Sequence, residues 1–197
     1  MTAPVPVEIY FNFRSPYCYL ASKRLFEIFD DYHATLVWKP LGGWSGRSAP
    51  ERAKVKMPIV RQDVKRHARL MGIPFNPPPV TTDPTKAGAG SLLAEREGLL
   101  MPYTVEVMRR EWAEGRDIGD MDVLLDVARG VGLDPDAFSI AVADADNLAV
   151  LEANWNEAQD KGAFGVPTFI IGDDIFWGND RIDFVRGHLH ELGLRRI

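Results

Sequence analysis

The sequence predicts an α/β fold in which a large block of helices interrupts a β-sheet. A strand, a helix and a second strand are indicated within residues 5–39. From residue 57 to about residue 161 the apolar residues recur at helical spacing. A hairpin and a closing helix are then indicated within residues 168–189. Because strand patterns lie at both ends, we expect a βαβ unit, an inserted helical subdomain and a ββα unit.

The N-terminal βαβ unit has clear boundaries. An apolar run over residues 5–13 stops just before Ser15, a favourable N-cap, and Pro16, a favourable first helical residue. One amphipathic helix is indicated by residues spaced three and four apart: Leu20, Ala21, Arg24, Leu25 and Ile28. Residues 34–39 are β-branched and aromatic, and Pro40 stops that strand. A unit of this length predicts parallel strands.

The middle of the chain contains four helix patterns. They are a helix opened by Pro58 and closed by Gly72, a helix over residues 105–112, a helix capped by Asp120 or Asp122 and ended by Gly132, and a helix over residues 148–158 that stops near Gly162. Residues 76–79, Asn-Pro-Pro-Pro, predict a rigid extended connector. We therefore assign residues 1–43 and 162–197 to one α/β domain and residues 44–161 to the inserted helical subdomain.

The C-terminal part predicts a hairpin followed by a helix. Residues 168–171 form a continuous apolar run, and Gly172 opens a tight turn toward the partner strand at residues 175–177. Asn179 can then cap a closing helix. This unit would place two further strands beside the first.

Composition excludes several functional classes. The 197 residues carry a net charge of −5, and there is no basic run, so we expect no nucleic-acid and no membrane partner. No run of apolar residues reaches the length of a membrane span, and the N-terminus does not resemble a secretory signal. With one cysteine, no intrachain disulfide can form, and a cytoplasmic location is the expectation.

Ser15 is the first candidate functional residue. Its hydroxyl lies at the positive end of the predicted helix dipole, where an anion is stabilised. Ser15 and Cys18 have the spacing of a Cys-x-x-Cys redox pair in which serine replaces the first cysteine. A thiol would then have to arrive on a small molecule. The alternative is that Ser15 is only a helix cap, which is the commoner role of Ser-Pro, and that Cys18 is a core residue.

Three segments together carry a resemblance to a known family. They are Ser15-Pro-Tyr-Cys18 at the first turn, residues 162–169 with Val166-Pro167, and residues 175–182. The chain resembles the 2-hydroxychromene-2-carboxylate isomerases and the related kappa-class glutathione transferases. The resemblance implies a thioredoxin-like fold with a large all-helical insertion, as in the DsbA-like superfamily, and a cis bond before Pro167.

The resemblance also implies a glutathione site. In that family the serine at the position of Ser15 contacts the sulfur of glutathione, the residue at Val166 pairs its backbone with the cysteinyl part, and the positions of Asn179 and Asp180 hold the γ-glutamyl end. The implied glutathione-binding set is Ser15, Pro16, Tyr17, Val166, Pro167, Asn179 and Asp180, with Ser15 as the catalytic residue.

One loop departs from the family pattern. The family often has an asparagine that contacts glutathione after the second strand, whereas residues 43–48 contain none. Arg47 or Lys56 is a candidate replacement for a carboxylate contact. The candidate substrate residues are Trp44, which either lines a pocket for a flat aromatic substrate or is a core residue, and Arg14, Lys39 and Arg47, as partners of a carboxylate.

The remaining polar pairs favour structural roles. Cys18 lacks the first cysteine of a dithiol cycle and is interpreted as a packed thiol. His188 and His190 are two apart on a helix and therefore do not share a face, so we expect no metal site. Asp144 and Asp146 indicate a helix start.

The function implied by the resemblance is a glutathione-dependent cis–trans isomerase, acting on an intermediate of aromatic degradation such as 2-hydroxychromene-2-carboxylate. The bound thiolate would add to a conjugated double bond and leave again after rotation. A homodimer is also expected. Two alternatives stay open at this point: a kappa-like glutathione transferase, which would release a conjugate, and a non-catalytic thioredoxin-fold protein, which would not bind glutathione.

Overall fold

The computed structural model describes residues 3–196 and contains one four-stranded sheet. The strands are β1 (Val5–Phe11), β2 (Ala34–Pro40), β3 (Thr168–Ile171) and β4 (Asp174–Trp177). Their order across the sheet is β2-β1-β3-β4. β1 and β2 are parallel, as predicted, whereas β3 is antiparallel to both β1 and β4. The predicted hairpin is therefore confirmed.

Helices flank the sheet and fill the interval between β2 and β3. They are α1 (Pro16–Ala21), α2 (Glu27–Asp31), α3 (Pro50–Leu70), α4 (Thr85–Arg96), α5 (Leu100–Met108), α6 (Met121–Val131), α7 (Pro135–Ala143), α8 (Ala145–Asp160) and α9 (Ile182–Glu191). A π-helix at Arg109–Ala113 continues α5, and a 3-10 helix at Asn179–Arg181 precedes α9. This arrangement confirms the predicted α/β fold with a helical insertion.

The first predicted helix is divided in two. α1 ends at Ala21, tight turns cover residues 22–26, and α2 begins at Glu27. The Ser22 hydroxyl donates a hydrogen bond to the carbonyl of Tyr19, and the backbone N–H of Arg24 bonds to the carbonyl of Ala21. Such local bonds compete with the regular hydrogen bonds of a helix. The prediction of one continuous amphipathic helix was therefore wrong.

The helical block begins earlier than predicted. α3 starts at Pro50, and Pro58 lies inside the helix although it supplies no backbone N–H. The residues before Pro58 are mostly good helix formers such as Glu51, Ala53 and Lys56, which explains why the helix continues through it. The opening of this helix at Pro58 was therefore a wrong prediction.

Two helices escaped the sequence prediction because their patterns are weak. Eight consecutive residues of α4, from Ala87 to Ala94, are buried, so α4 lacks the polar face that reveals an amphipathic helix. α7 is short, although Asp134 caps it and Pro135 occupies its first position. By contrast, the caps at Asp120 and Asp144 and the left-handed Gly132 are as predicted.

The insertion and the sheet share one hydrophobic core. Phe13, beyond the end of β1, packs edge-on against Tyr103 of α5 with ring centroids 6.1 Å apart. Trp38 of β2 donates from its indole N–H to the Ser91 hydroxyl of α4 at 2.9 Å. The proposed division at residues 43–44 and 161–162 stays a prediction. No helix within residues 3–196 combines the length and the apolar composition needed to cross a membrane.

Candidate active site

A cleft of about 630 Å³ opens beside the turn between β1 and α1. Its walls come from four other parts of the chain: the loop after β2, helix α3, the loop before β3, and the turn after β4. Trp112 of the π-helix also lines it. The cleft therefore lies where the sheet meets the insertion, at the carboxyl end of β1.

Ser15 lies in the wall of this cleft at the first turn of α1. Its side-chain oxygen accepts a hydrogen bond from the N–H of Cys18 at 3.4 Å, which makes it the N-cap. The hydroxyl donates to the carbonyl of Val166, also at 3.4 Å. Both bonds are long, so the hydroxyl can turn toward a better acceptor such as a thiolate.

The loop before β3 forms the opposite wall. The Val166–Pro167 peptide bond is cis, as predicted. Gly46 packs against this loop with a φ of +69°, and a Cβ atom there would lie 2.8 Å from a methyl group of Val166. The close approach of the two loops therefore requires glycine at position 46.

Cys18 lies behind Ser15 rather than in the cleft. Its side chain is fully buried, and burial raises the pKa of its thiol to about 12. Hydrogen bonds with the backbone of Asn12 and the side chain of Ser15 lower the thiol pKa, but they offset only part of the effect of burial. A protonated, enclosed thiol is inert, in agreement with the structural role predicted for it.

Asn12 organises the loop opposite Ser15 and was missed in the sequence. Its fully buried amide donates to the carbonyl of Ser45 at 2.9 Å, and its oxygen accepts from the N–H of Arg14 at 2.9 Å. Its backbone carbonyl also accepts from the N–H of Ser15. An asparagine at the end of an apolar strand was the available signal, because a buried amide must find partners.

Tyr17 belongs to a polar chain on the α3 side of the cleft. Its hydroxyl donates to Asp63 at 3.0 Å, and Asp63 lies 3.8 Å from Nε2 of His67. Burial, together with the bond to Asp63, raises the pKa of Tyr17. Tyr17 is therefore held as a neutral hydroxyl facing the cleft.

Arg14 lines the cleft and is held by three contacts. One guanidinium nitrogen donates to the carbonyl of Pro79 at 2.9 Å, and the guanidinium lies 5.2 Å from the ring of Trp112. Another nitrogen is 3.5 Å from a carboxyl oxygen of the fully buried Glu111. Burial lowers the pKa of Arg14, and Glu111 counteracts this effect.

Trp44 and Arg47 lie on the loop after β2 and form one stacked pair. The guanidinium of Arg47 is 3.9 Å from the centre of the Trp44 ring. Trp44 is 56% exposed, so much of its indole surface remains free. Burial and the neighbouring charge of Arg14 lower the pKa of Arg47 to about 10.

Asn179 and Asp180 lie at the rim beyond β4. They belong to the 3-10 helix, and α9 itself has Arg181 as its N-cap residue, so the predicted capping of the closing helix by Asn179 is wrong. The Asp180 carboxylate pairs with Arg181 at 2.9 Å. The charge of Asp180 also contributes to the raised pKa of Tyr17, another residue predicted to bind glutathione.

Lys39 is not part of the cleft, contrary to the sequence prediction. Its ammonium binds Glu157 of α8 at 2.7 Å. Trp38 points into the core, and successive strand residues point to opposite faces, so Lys39 faces α8. The structure brings together the other predicted residues that line the cleft: Arg14, Ser15, Pro16, Tyr17, Trp44, Arg47, Val166, Asn179 and Asp180.

Two exposed aromatic residues at the rim were also missed. The rings of Phe164 and Trp177 are 4.6 Å apart and are 68% and 46% exposed. The hairpin pattern predicted Trp177 as a strand residue but could not show which side of the sheet it covers. Together with Trp44, these two residues place three exposed aromatic rings along the cleft.

The cleft carries a positive charge although the chain is acidic overall. Its lining includes the basic residues Arg14, Arg47, Arg52, Lys56 and Arg181, against the carboxylates of Asp63 and Asp180. Such a cleft suits ligands that carry more than one carboxylate. Within residues 3–196 no group of three or more His, Cys, Asp or Glu side chains is arranged to hold a metal ion.

Comparison with known proteins identifies the sequence family. The chain matches the family described as DSBA-like thioredoxin domain over residues 6–190. It is 30% identical to the 2-hydroxychromene-2-carboxylate isomerase of Pseudomonas putida, with 94% of this chain and 95% of the relative covered. It is 25% identical to glutathione S-transferase kappa 1 of Caenorhabditis elegans, with 94% and 91% covered.

Solved structures show the same fold. A structure of 2-hydroxychromene-2-carboxylate isomerase superposes with a TM-score of 0.80 at 28% identity and covers 95% of each chain. The cytosolic disulfide reductase DsbM from Pseudomonas aeruginosa, solved with GSH, superposes with a TM-score of 0.73 at 22% identity, covering 95% of this chain and 98% of DsbM.

Proposed function

The chain belongs to the DSBA-like thioredoxin domain family, and from this premise we propose that it is a glutathione-dependent isomerase similar to the 2-hydroxychromene-2-carboxylate isomerases. The substrate class is a planar aromatic compound with a conjugated double bond and a carboxylate. The curated relatives that carry this name cover the chain almost completely, which supports the same reaction here.

The observation that carries the proposal is the position of the Ser15 hydroxyl. It is the side-chain cap of α1, it lines the cleft, and its bonds to Val166 and Cys18 are both long. A glutathione sulfur beside it would receive a hydrogen bond that favours the thiolate over the thiol. A serine cannot form the mixed disulfide of a redox enzyme, so the hydroxyl suits a reaction that returns the thiol unchanged.

The hemiketal ring of 2-hydroxychromene-2-carboxylate first opens to the keto form, and the hydroxyl proton passes to the released phenol oxygen. The glutathione thiolate then adds to the double bond that is now conjugated with the carbonyl. The sulfur electron pair forms a carbon–sulfur bond, and the electrons of the double bond move to the conjugated carbonyl. Rotation about the resulting single bond follows. Elimination then breaks the carbon–sulfur bond, restores the double bond in the other geometry and returns the thiolate, so nothing is oxidised, reduced or consumed.

The residues around Ser15 would hold the rest of glutathione. The backbone of Val166 next to the cis bond would pair with the cysteinyl part, as an added strand does. The Asp180 carboxylate would bind the γ-glutamyl ammonium, and Asn179 its carboxylate. Lys56 and Arg52 on α3 offer cations for the glycyl carboxylate.

Calorimetric titration with glutathione, and with S-methylglutathione as a control, tests the first step. We expect glutathione to bind more tightly, because the methylated sulfur cannot become a thiolate. The product of 2-hydroxychromene-2-carboxylate is then analysed by mass spectrometry and NMR. An isomer of unchanged mass supports the proposal, and no binding of glutathione contradicts it.

A kappa-like glutathione transferase is the second candidate, favoured by the relative from Caenorhabditis elegans. It would use the same thiolate, but the carbon–sulfur bond would remain in the product. Mass spectrometry separates the two reactions, because a conjugate gains the mass of glutathione. A stable conjugate as the main product would therefore show that the protein is a transferase and not an isomerase.

A further inference from the structure

Glu111 is a buried carboxyl group beside Arg14, which lines the cleft. Its side chain is fully buried, and neither of its oxygens makes a hydrogen bond. It lies in the π-helix after α5, and such helices are frequent at functional sites. A buried polar group without a partner is costly, so its presence calls for an explanation.

The side chain that faces Glu111 is Arg14. Their nearest atoms, Nη1 and Oε1, are 3.5 Å apart, and the Arg14 side chain is only 9% exposed. Its Nε atom is buried and makes no hydrogen bond. The bond to Pro79 and the Trp112 ring hold the guanidinium where it lines the cleft. Arg14 is therefore a preorganised cation with donor capacity left over.

Arg47 adds a second positive charge to the same place. It lines the cleft over the ring of Trp44, and among residues 3–196 no carboxylate lies within ion-pair distance of it. The charges of Arg14 and Arg47 both act on Glu111, and that of Arg14 acts on Arg47. Two like-charged guanidinium groups that line the same cleft are stabilised by an anion that contacts both.

We propose that Arg14 and Arg47 form a subsite for the carboxylate of a planar aromatic substrate, and that Glu111 is a positioning residue that holds Arg14 and takes up a proton when this carboxylate binds. The inference deepens the proposed function and rests on it for the identity of the reaction. The exposed face of Trp44 beside Arg47 supplies the surface on which a flat ring can stack.

The proton follows from the balance of charge. An ionised Glu111 competes with the ligand carboxylate for Arg14, whereas a protonated Glu111 does not. Burial already raises the pKa of Glu111 well above its usual value, and a second anion raises it further. The charged groups that act on Glu111, Arg14 and Arg47 are Arg14 of the first turn, Arg47 and Asp83 of the loops, Arg61 of α3 and Asp117 after the π-helix.

The subsite is tested with coumarin-3-carboxylate and its uncharged carboxamide as probes, in the absence of glutathione. The wild type should prefer the carboxylate. Arg14→Gln should reduce that preference by about 10- to 100-fold, because it removes charge-assisted hydrogen bonds. Arg69→Gln, which removes a cation from α3 outside the cleft lining, is the matched control and should keep the preference.

The double variant Arg14→Gln/Glu111→Gln protects this test against misfolding, because it leaves no charge buried alone. It should lose the preference for the carboxylate to the same extent. If the double variant folds and still prefers the carboxylate as the wild type does, the subsite lies elsewhere and the inference is wrong.

The role of Glu111 is tested through pH and proton uptake. Because binding needs a proton on Glu111, wild-type affinity for the carboxylate should fall as pH rises through the raised pKa of the Glu111 carboxyl. Calorimetry in buffers of different ionisation enthalpy should show proton uptake over the same pH range. Glu111→Gln should keep the affinity but lose both effects, whereas the exposed Glu97→Gln should resemble the wild type.

If Glu111 had only a structural role, Glu111→Gln would lower the stability of the protein without changing the pH profile of carboxylate binding. Equal pH slopes and equal proton uptake in the wild type and Glu111→Gln would overturn its assigned role. Glutathione titration of the same variants separates this result from the proposed function, because Arg14→Gln and Glu111→Gln should bind glutathione within about twofold of the wild type, a difference well below one hydrogen bond.

Discussion

Two groups of residues at the cleft can stabilise negative charge by different means. In the first group, Ser15 offers a hydroxyl, and its neighbours are backbone groups of Val166 and Cys18. In the second group, Arg14 and Arg47 carry full charges, and the buried Glu111 lies beside Arg14. We call the first group the sulfur end, Ser15 with Val166 and Cys18, and the second group the arginine end, Arg14 with Arg47 and Glu111.

The difference corresponds to what each anion would do in the proposed reaction. A thiolate that is stabilised too strongly loses nucleophilicity, because reactivity falls as the thiol pKa falls. A neutral hydroxyl gives moderate stabilisation and leaves the sulfur reactive. A substrate carboxylate takes no part in bond formation, so full positive charges can hold it without slowing the chemistry.

The largest effect is expected from Ser15→Ala at the sulfur end. Loss of a hydrogen bond to a charged acceptor, about 1.5–3 kcal/mol, should raise the pKa of bound glutathione by about one to two units and slow turnover by about 10- to 100-fold. Less thiolate is then present at neutral pH. Thiolate absorbance of the complex, followed against pH, measures this pKa.

Ser139→Ala, at an exposed position of α7 outside the cleft lining, is the control and should titrate like the wild type. If Ser15→Ala also titrates like the wild type, Ser15 is only a helix cap. The sulfur end would then have no side chain that stabilises the thiolate.

Asn12→Ala should affect the arginine end through the loop that carries Trp44 and Arg47. It removes the bond to Ser45 and the acceptor for the Arg14 N–H, at a cost of about 1–3 kcal/mol in the free energy of unfolding. We expect weaker binding of the aromatic carboxylate as well. Chemical denaturation and probe titration measure the two effects.

Asn154→Ala is the matched control for Asn12→Ala. Asn154 is also buried and donates to the carbonyl of Pro40 at 3.0 Å, but it does not line the cleft. It should lose a similar stability without a change in probe affinity. Equal probe affinity in both variants would show that Asn12 does not position the loop.

Cys18→Ser separates the hydroxyl of Ser15 from the thiol behind it. We expect turnover within about twofold of the wild type and a loss of about 1–2 kcal/mol in stability, because a polar hydroxyl enters a buried site. With its thiol pKa raised to about 12 by burial, native Cys18 should resist iodoacetamide, whereas the unfolded chain should react. A tenfold loss of turnover in a folded variant would contradict the structural role.

The smallest effect is expected from Lys39→Gln, outside both ends. The partly exposed pair with Glu157 should contribute no more than about 0.5 kcal/mol. Lys161 and then Lys39 lower the pKa of Glu157 to about 2, so this stability is present above about pH 4.5 and is lost as pH falls toward 2. Carboxyl NMR should show a higher Glu157 pKa in the variant. Weaker binding of the aromatic carboxylate by Lys39→Gln would show that Lys39 does contribute to the substrate site.

Local signals in the sequence were sufficient for Ser15 itself, whereas its contact with Val166 depends on tertiary structure. Ser15 and Pro16 mark a helix start, and the capping of α1 depends only on neighbouring backbone groups. The hairpin turn at Gly172 also follows from a short segment, whereas the cis bond before Pro167 was implied by the family resemblance. The parallel pairing of β1 and β2 also follows, because a strand, one helix and a strand leave few other arrangements.

The arginine end was decided by tertiary structure. Arg14 and Glu111 lie on different elements, and only the packing of the π-helix against the first turn encloses the carboxyl beside the guanidinium. In the sequence, Lys39 and Arg14 were equally good candidates for the carboxylate contact. In the structure, Lys39 lies on the face of β2 that α8 covers, where it pairs with Glu157. The type of each side chain can be read from the sequence. Its burial and its partners depend on residues far along the chain, and burial and partners determine whether the group is charged.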